Sequence, residues 1–244
     1  MLSKQTIKFI TSLRYNKYRL KYNCFVAEGT HTVEAFMNSG FKFHSVFCTS
    51  NWHAMKNIKN INIITNKELR KISSFKNPSN VLAIIYKPDY SFNMQQLLGQ
   101  NKIILLDSIS DPGNMGSIIR TADWFGVSSI YLSKKCVDVF NSKVVQSAMG
   151  SIARVEIYIV SLEDVMKQLK KANITCYGAC LSGSDLYSLK KTPTSAIVFG
   201  SESHGISNSV EELLDQKILI PTKNKLIDSL NVSVAFGIIL SEFR

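Results

Sequence analysis

The sequence predicts an α/β protein in two parts: a small, basic N-terminal α/β unit and a larger domain built on a mostly parallel sheet. Three observations lead there. After Gln100 the strand candidates are continuous apolar runs alternating with helix-spaced segments, the pattern of strands buried on both faces by crossover helices. Before Pro88 the elements make up a small α/β unit, and Lys87-Pro88-Asp89 breaks the pattern. Charge divides at the same place: residues 1–90 hold 14 Lys/Arg against 4 Asp/Glu, a net of +10, whereas residues 91–244 hold 15 against 14, a net of +1. The expected division is a basic domain at 1–90, a linker at 91–101, and a second domain at 102–244.

In the first part, Ile7, Ile10, Leu13 and Leu20 are spaced for one helix over Ser3 to Lys21, followed by a short strand at Cys24 to Val26. Thr32 to Asn38 reads as a helix closed by Gly40, Val46 to Cys48 and Ile61 to Ile64 as strands, Lys67 to Ile72 as a helix and Val81 to Tyr86 as a strand. In the second part the strands are Ile103 to Leu106, Ile130 to Leu132, Ile174 to Tyr177, Ala196 to Phe199 and Ile218 to Ile220. The helices between and after them are Met115 to Trp124, Asn141 to Ile152, Leu162 to Ala172, Asn208 to Leu214 and Val232 to Phe243.

Composition narrows the function. With 244 residues, 45% of them hydrophobic, the chain can bury real cores. Its longest apolar stretch, Val232 to Leu240, is interrupted by Gly237 and is too short to span a bilayer. Met1 to Ile10 carries Lys4 and Lys8 and no apolar core, so a cytoplasmic protein without a secretory signal is expected. Five scattered cysteines and four scattered histidines offer neither a disulfide framework nor metal ligands. No acid precedes Glu28, while Arg14, Lys17, Arg19 and Lys21 lie among Tyr15, Tyr18 and Tyr22. That mixture suits phosphate contact and base stacking, or else a solvated helix face over core tyrosines.

Three loops at strand ends carry the candidate chemistry. The first runs from Asp107 to Ser117 into a helix: Pro112, Gly113 and Gly116 suggest a tight turn, Asn114 can cap the helix or meet a ligand, and Arg120 follows. Arg120 pairs with Asp123 on the surface or serves the site; spacing leaves both open. The second, Phe199 to Ile206, holds Gly200 and Glu202, and also Ser203 and His204. Adjacent residues rarely face each other as nucleophile and base, and Gly-x-Ser-x-Gly is absent, so a hydrolase is not expected. Neither Gly-x-Gly-x-x-Gly nor a P-loop occurs. The third, Ile220 to Ala235, places Ser229 and Asn231 before an apolar helix, where either can act as a cap.

In order and spacing these loops resemble the three motifs of the SpoU (TrmH) branch of the SPOUT methyltransferases: Asp-Pro-x-Asn-x-Gly followed by Arg, Gly-(Asn or Ser)-Glu-x-x-Gly, and Ile-Pro followed by Ser-Leu-Asn. The resemblance spans about residues 102 to 244. Arg14 to Lys21 and Phe25-Val-Ala-Glu-Gly29 are similar to the family's accessory RNA-binding domain. The third loop departs from the pattern, with Asn224 where the family has glycine and one extra residue before Ser229.

The resemblance implies a C-terminal trefoil knot, a homodimer, and S-adenosylmethionine as cofactor. It implies methylation of a ribose 2′-hydroxyl in RNA, ribosomal in preference to transfer RNA; composition adds the expectation of no metal and no membrane. The resemblance assigns catalysis to Arg120 with Asn114, Glu202, Ser229 and Asn231, and the adenosine end of the cofactor to backbone groups around Gly200, Ile220 and Leu230; the carboxyl edge of the parallel sheet adds Cys180 and Leu181. RNA contact falls to Arg14, Lys17, Arg19 and Lys21. A non-catalytic RNA-binding protein of the same fold is the competing expectation.

Overall fold

The computed structural model describes residues 1–52, 61–224, 226 and 228–243. Its contacts divide the chain into two compact units, Met1–Asp89 with Asp138–Arg154, and Tyr90–Val137 with Val155–Arg244. Residues 138–154, expected within the second domain, thus group with the first unit.

The first unit begins with α1 (Lys4–Ser12), α2 (Asn16–Tyr22), β1 (Cys24–Glu28), α3 (Thr30–Asn38), β2 (Phe43–Cys48), β3 (Ile61–Ile63), α4 (Asn66–Ile72) and β4 (Val81–Tyr86). Its sheet has the order β1-β4-β2-β3, with β4 antiparallel to both neighbours and β2 parallel to β3. The single helix expected over Ser3 to Lys21 is two helices, because Tyr15 is extended between them. Arg19 stabilises the break by donating to the carbonyls of Leu13 and Arg14 at 2.9 and 2.8 Å. In that register Arg19 faces inward and Leu20 faces solvent.

The second unit carries α5 (Met94–Leu98), β5 (Lys102–Leu106), α6 (Pro112–Trp124) and β6 (Ser129–Leu132). The chain then contributes α7 (Ser142–Ser147) to the first unit before returning as β7 (Glu156–Ile159), α8 (Leu162–Lys171), β8 (Thr175–Asp185), β9 (Ser195–Phe199), α9 (Asn208–Glu211), β10 (Gln216–Leu219) and α10 (Val232–Glu242). The helix expected from Asn141 to Ile152 ends at Ser147. Met149 and Gly150 take positive φ, and a short 3-10 turn covers Ser151–Ala153. Gly150 lies so close to Ala35 that a Cβ would collide there, so the close approach fixes the residue as well as the turn.

All six strands of the second sheet are parallel, in the order β10-β8-β9-β5-β6-β7. Alternation sends Ile103, Leu105, Cys176, Ala196 and Val198 to one face, where α5, α8 and α9 bury Leu97, Val165, Leu169 and Val210 against them. On the other face α10 sets Phe243 against Tyr177 and Phe236 against Phe199. Gly237 brings α10 close to Thr121 of α6. The strand β7 was not expected from the sequence: it is an edge strand, only Tyr158 of its four residues is buried, and Glu156 interrupts the apolar pattern.

Candidate cofactor and catalytic site

The middle of β8 and the loops that follow the carboxyl ends of β9 and β10 surround one cavity of about 800 Å³. Such edges of parallel sheets gather ligand sites, because helices crossing between strands leave a crevice there. The β8 wall comes from a register shift: Lys217 of β10 pairs with Gly178, but its neighbour Ile218 pairs with Ser184. The residues skipped include Cys180 and Leu181, which bulge out to line the cavity. From the β9 loop come Gly200 and Glu202, and from the β10 loop Ile220, Ser229 and Leu230. All five residues expected to hold the cofactor therefore line one space, together with the expected catalytic residues Glu202 and Ser229.

Gly200 has a definite reason to be glycine. The loop turns back so that Ser201 and Gly205 exchange backbone hydrogen bonds, both 2.9 Å. A Cβ on Gly200 would strike the backbone of Gly205 and Ile206. Only a residue without a side chain lets this loop close tightly beside the cavity. In the same loop Ser203 Oγ and His204 Nδ1 lie 2.7 Å apart, so the two adjacent side chains do meet, against expectation. No third residue hydrogen-bonds that imidazole among the described residues, and the pair does not make a triad.

Asn231 joins the three motif loops. It caps α10, its Oδ1 accepting from the Ser233 amide at 3.0 Å and from Ser233 Oγ at 2.6 Å. Its Nδ2 donates to Glu202 Oε1 at 2.6 Å and to Asn114 Oδ1 at 2.9 Å. Asn114 does not cap α6. Asp111 does, accepting from the Asn114 amide at 2.8 Å, while Pro112 starts the helix and Gly113 and Gly116 lie within it. One carboxamide thus holds Asn114 and Glu202, from segments far apart in sequence, at the N-terminus of a third element. Ser229 lines the cavity but is not the cap.

Arg120 is exposed on α6, six residues beyond Asn114, about 9 Å further along the axis at the usual helical rise. It makes no hydrogen bond or ion pair among the described residues, so the surface pair with Asp123 does not form. Of the third loop, Lys225 and Ile227 lie outside the described residues. Asn224 bonds its own turn, accepting from the Leu226 amide at 3.0 Å.

Sequence reading left Asp107 without a role. It ends β5, is 3% exposed, and accepts from the Ser207 amide at 2.8 Å and the Ser108 hydroxyl at 3.0 Å. Burial pushes its carboxyl up, but the bonds from Ser207 and Ser108 outweigh that and hold it below the usual carboxylate range. Asp107 therefore ties β5 to the loop that begins at Gly200. An acid closing an otherwise apolar strand was the available signal.

The four residues expected to touch RNA belong to the first unit. Arg14, Lys17 and Lys21 are exposed. Arg19 is not: it is 2% exposed and donates to Asp138 through both Nε and Nη2, at 2.8 and 2.7 Å. Its charge is spent inside the unit, on the stretch contributed by residues 138–154, and it leaves the list of RNA contacts.

The model of the SpoU rRNA methylase family matches residues 101–241, and that of the MRM3-like substrate-binding domain matches residues 4–83. A 23S rRNA (guanosine(2553)-2′-O)-methyltransferase, RlmP of Bacillus subtilis, is 26% identical over 98% of this chain and 96% of its own. The 23S rRNA (guanosine-2′-O-)-methyltransferase RlmB of Blochmanniella floridana is 33% identical over 88% of this chain and 92% of its own. Among solved structures, an AdoMet-bound rRNA methyltransferase from Sinorhizobium meliloti superposes with a TM-score of 0.87 at 27% identity, covering 100% of this chain and 95% of its own.

Proposed function

The chain belongs to the SpoU rRNA methylase family, and we propose that it methylates a ribose 2′-hydroxyl of structured ribosomal RNA, using S-adenosylmethionine held in the cavity behind Glu202. The single observation that carries this reading is the Asn231 node, which binds the signature residues of the first two motifs beside that cavity. The named relatives that act on 23S rRNA favour ribosomal over transfer RNA. A protein that only docked on RNA would have no use for this arrangement.

The cavity fits the cofactor. Its volume suits a ligand of that size, Ile206, Leu219, Ile220 and Leu230 offer apolar contact to a purine, and Glu202 and Asp228 offer carboxylates to a cation. Bound there, S-adenosylmethionine supplies an activated methyl group on sulfonium sulfur, so that no acid is required for the leaving group. The chain's share is positioning and electrostatics. The Gly200 loop and the β8 bulge would hold the adenosine end, through backbone groups and Leu181. Asn231 fixes Glu202 and Asn114, which orient the ribose. Arg120 donates to the ribose oxygen and stabilises its developing negative charge while the hydroxyl proton passes to solvent water; a guanidinium remains protonated, so it acts as a donor and not as the base.

In this reading the domain boundaries are functional. Residues 1–90 with 138–154 present RNA, and the remainder of 102–244 carries out the transfer. The segment after β10 threads to form the family's knot; the convergence of three loops on α10, which packs back against α6, supports that arrangement. A second copy covers α6 and α10. Trp124, 86% exposed, and Val234, 50% exposed, leave an apolar surface on these two packed helices that a homodimer would bury. The cytoplasm, where RNA and cofactor meet, is the compartment. Calorimetric titration with S-adenosylmethionine, paired with single-turnover transfer to ribosomal RNA lacking the modification, tests the reading: we expect micromolar cofactor binding and a 2′-O-methylated nucleoside in the digest.

A further inference from the structure

The first unit carries five aromatic rings in one connected row. Tyr18 lies beside Tyr22 with centroids 6.3 Å apart and planes within 12°. Tyr22 meets Phe9 edge-on at 5.0 Å, Phe9 meets His44 at 5.3 Å, and His44 meets Tyr86 at 5.8 Å. The row runs from α2 over α1 to the first residues of β2 and the last residue of β4. Phe9 packs on the buried core beneath, but Tyr22, His44 and Tyr86 do not belong to that core. Tyr22 and Tyr86 are each 39% exposed, and His44 is exposed as well. Tyr22, His44 and Tyr86 thus keep part of their ring surface open to a ligand.

Charge accompanies the row. Lys17 Nζ sits 5.0 Å from the Tyr18 ring and Lys21 Nζ 5.4 Å from the Tyr22 ring. No acid precedes Glu28 in the sequence, and the one inward-facing cation of α2, Arg19, is neutralised by Asp138. The outward cations therefore face solvent without acidic partners from their own segment.

We infer that this row is a stacking surface for unpaired nucleobases of the RNA, with Lys17 and Lys21 neutralising the adjacent phosphates. Every base has a π-face, so a row of rings binds a single strand with little regard to sequence. In a duplex those faces are covered by neighbouring base pairs, and only the lysines would engage it. The inference rests on the reading that the first unit presents RNA, and it specifies the form in which RNA is held: an opened loop or single-stranded segment.

The test uses the full chain and two probes of equal nucleotide number, a single-stranded oligouridylate and a blunt-ended RNA duplex without a hairpin loop, with binding followed by fluorescence anisotropy across salt. Tyr22→Ala and Tyr86→Ala should each weaken oligouridylate binding by about tenfold, leave the salt slope unchanged and leave duplex binding within about twofold. Tyr22→Phe keeps the ring and should bind like the parent, which separates stacking from any loss of fold. Lys17→Ala with Lys21→Ala should weaken both probes and reduce the salt slope by about one per lysine. If the tyrosine variants bind both probes like the parent, or lose both equally, while the lysine variants still weaken binding, the stacking row is overturned and the basic RNA surface stands. If no variant changes binding, both fall.

Discussion

Replacing Asn231 by Asp separates the two tasks of that side chain. The cap should survive, because Asp and Asn cap helices about equally well and a carboxylate at an N-terminus gains about 0.3–1 kcal/mol from the helix dipole. The donor does not survive. Where Nδ2 now gives a 2.6 Å bond to Glu202 Oε1, the variant sets one carboxylate oxygen against another. Two like charges at 4 Å repel by about 1 kcal/mol in water and about 4 kcal/mol near a protein surface, so Glu202 should swing away. Asn114 can turn its amide to donate to the new carboxylate, so the damage centres on Glu202. We expect unfolding stability within about 1 kcal/mol of the parent and turnover down by about 100-fold, as displacement of a positioning group by about 1 Å produces. A shared proton relieves the repulsion, so activity relative to the parent should recover as pH falls toward 5. Single-turnover transfer from pH 5 to 8 and urea unfolding measure both. Parental turnover at pH 7.5 in the folded variant would refute the node.

Other expectations follow from the same geometry. Arg120→Ala should lower turnover by about 100-fold while leaving cofactor affinity and melting nearly unchanged, and Arg120→Lys should recover little of it; activity near the parent's would reduce Arg120 to a surface residue. Gly200→Ala should weaken cofactor binding by more than about tenfold, read by calorimetry, because its Cβ meets the backbone of Gly205. Asp107→Asn should destabilise the fold by about 1–3 kcal/mol at pH 7. The Asp107 carboxyl is depressed in the folded state, so its contribution is complete above the unfolded value of about 4 and fades as pH falls through the lower folded value. The gap between variant and parent unfolding curves should accordingly narrow in acid; a constant gap would contradict the assignment. Arg19→Met should destabilise by about 3 kcal/mol, since it strands Asp138 without its partner.

Much of the fold is legible in the sequence because buried parallel strands must be apolar on both faces, and Ile103 to Leu106 or Ala196 to Phe199 can hardly be read otherwise. The motif residues were legible as residues, and their junction was not. That Asn231 holds both Asn114 and Glu202 depends on how three strand-end loops converge, which spacing does not encode. The β8 bulge at Cys180 and Leu181 is a matter of register with β10, invisible along one strand. Arg19 misled for a physical reason: among lysines and tyrosines a cation reads as surface, and only the chain break at Tyr15 turns it inward to Asp138. The stretch 138–154 reads as catalytic-domain sequence by position, yet its α7 packs on β1 of the first unit.

The central claim is methyl transfer to a ribose oxygen. Ribosomal RNA from cells lacking this protein would be incubated with the purified chain and isotopically labelled S-adenosylmethionine, digested to nucleosides, and resolved by mass spectrometry. The account predicts label in a single 2′-O-methylnucleoside, lost with Arg120→Ala. Label on a base, or none at all from a folded protein that binds the cofactor, would contradict it.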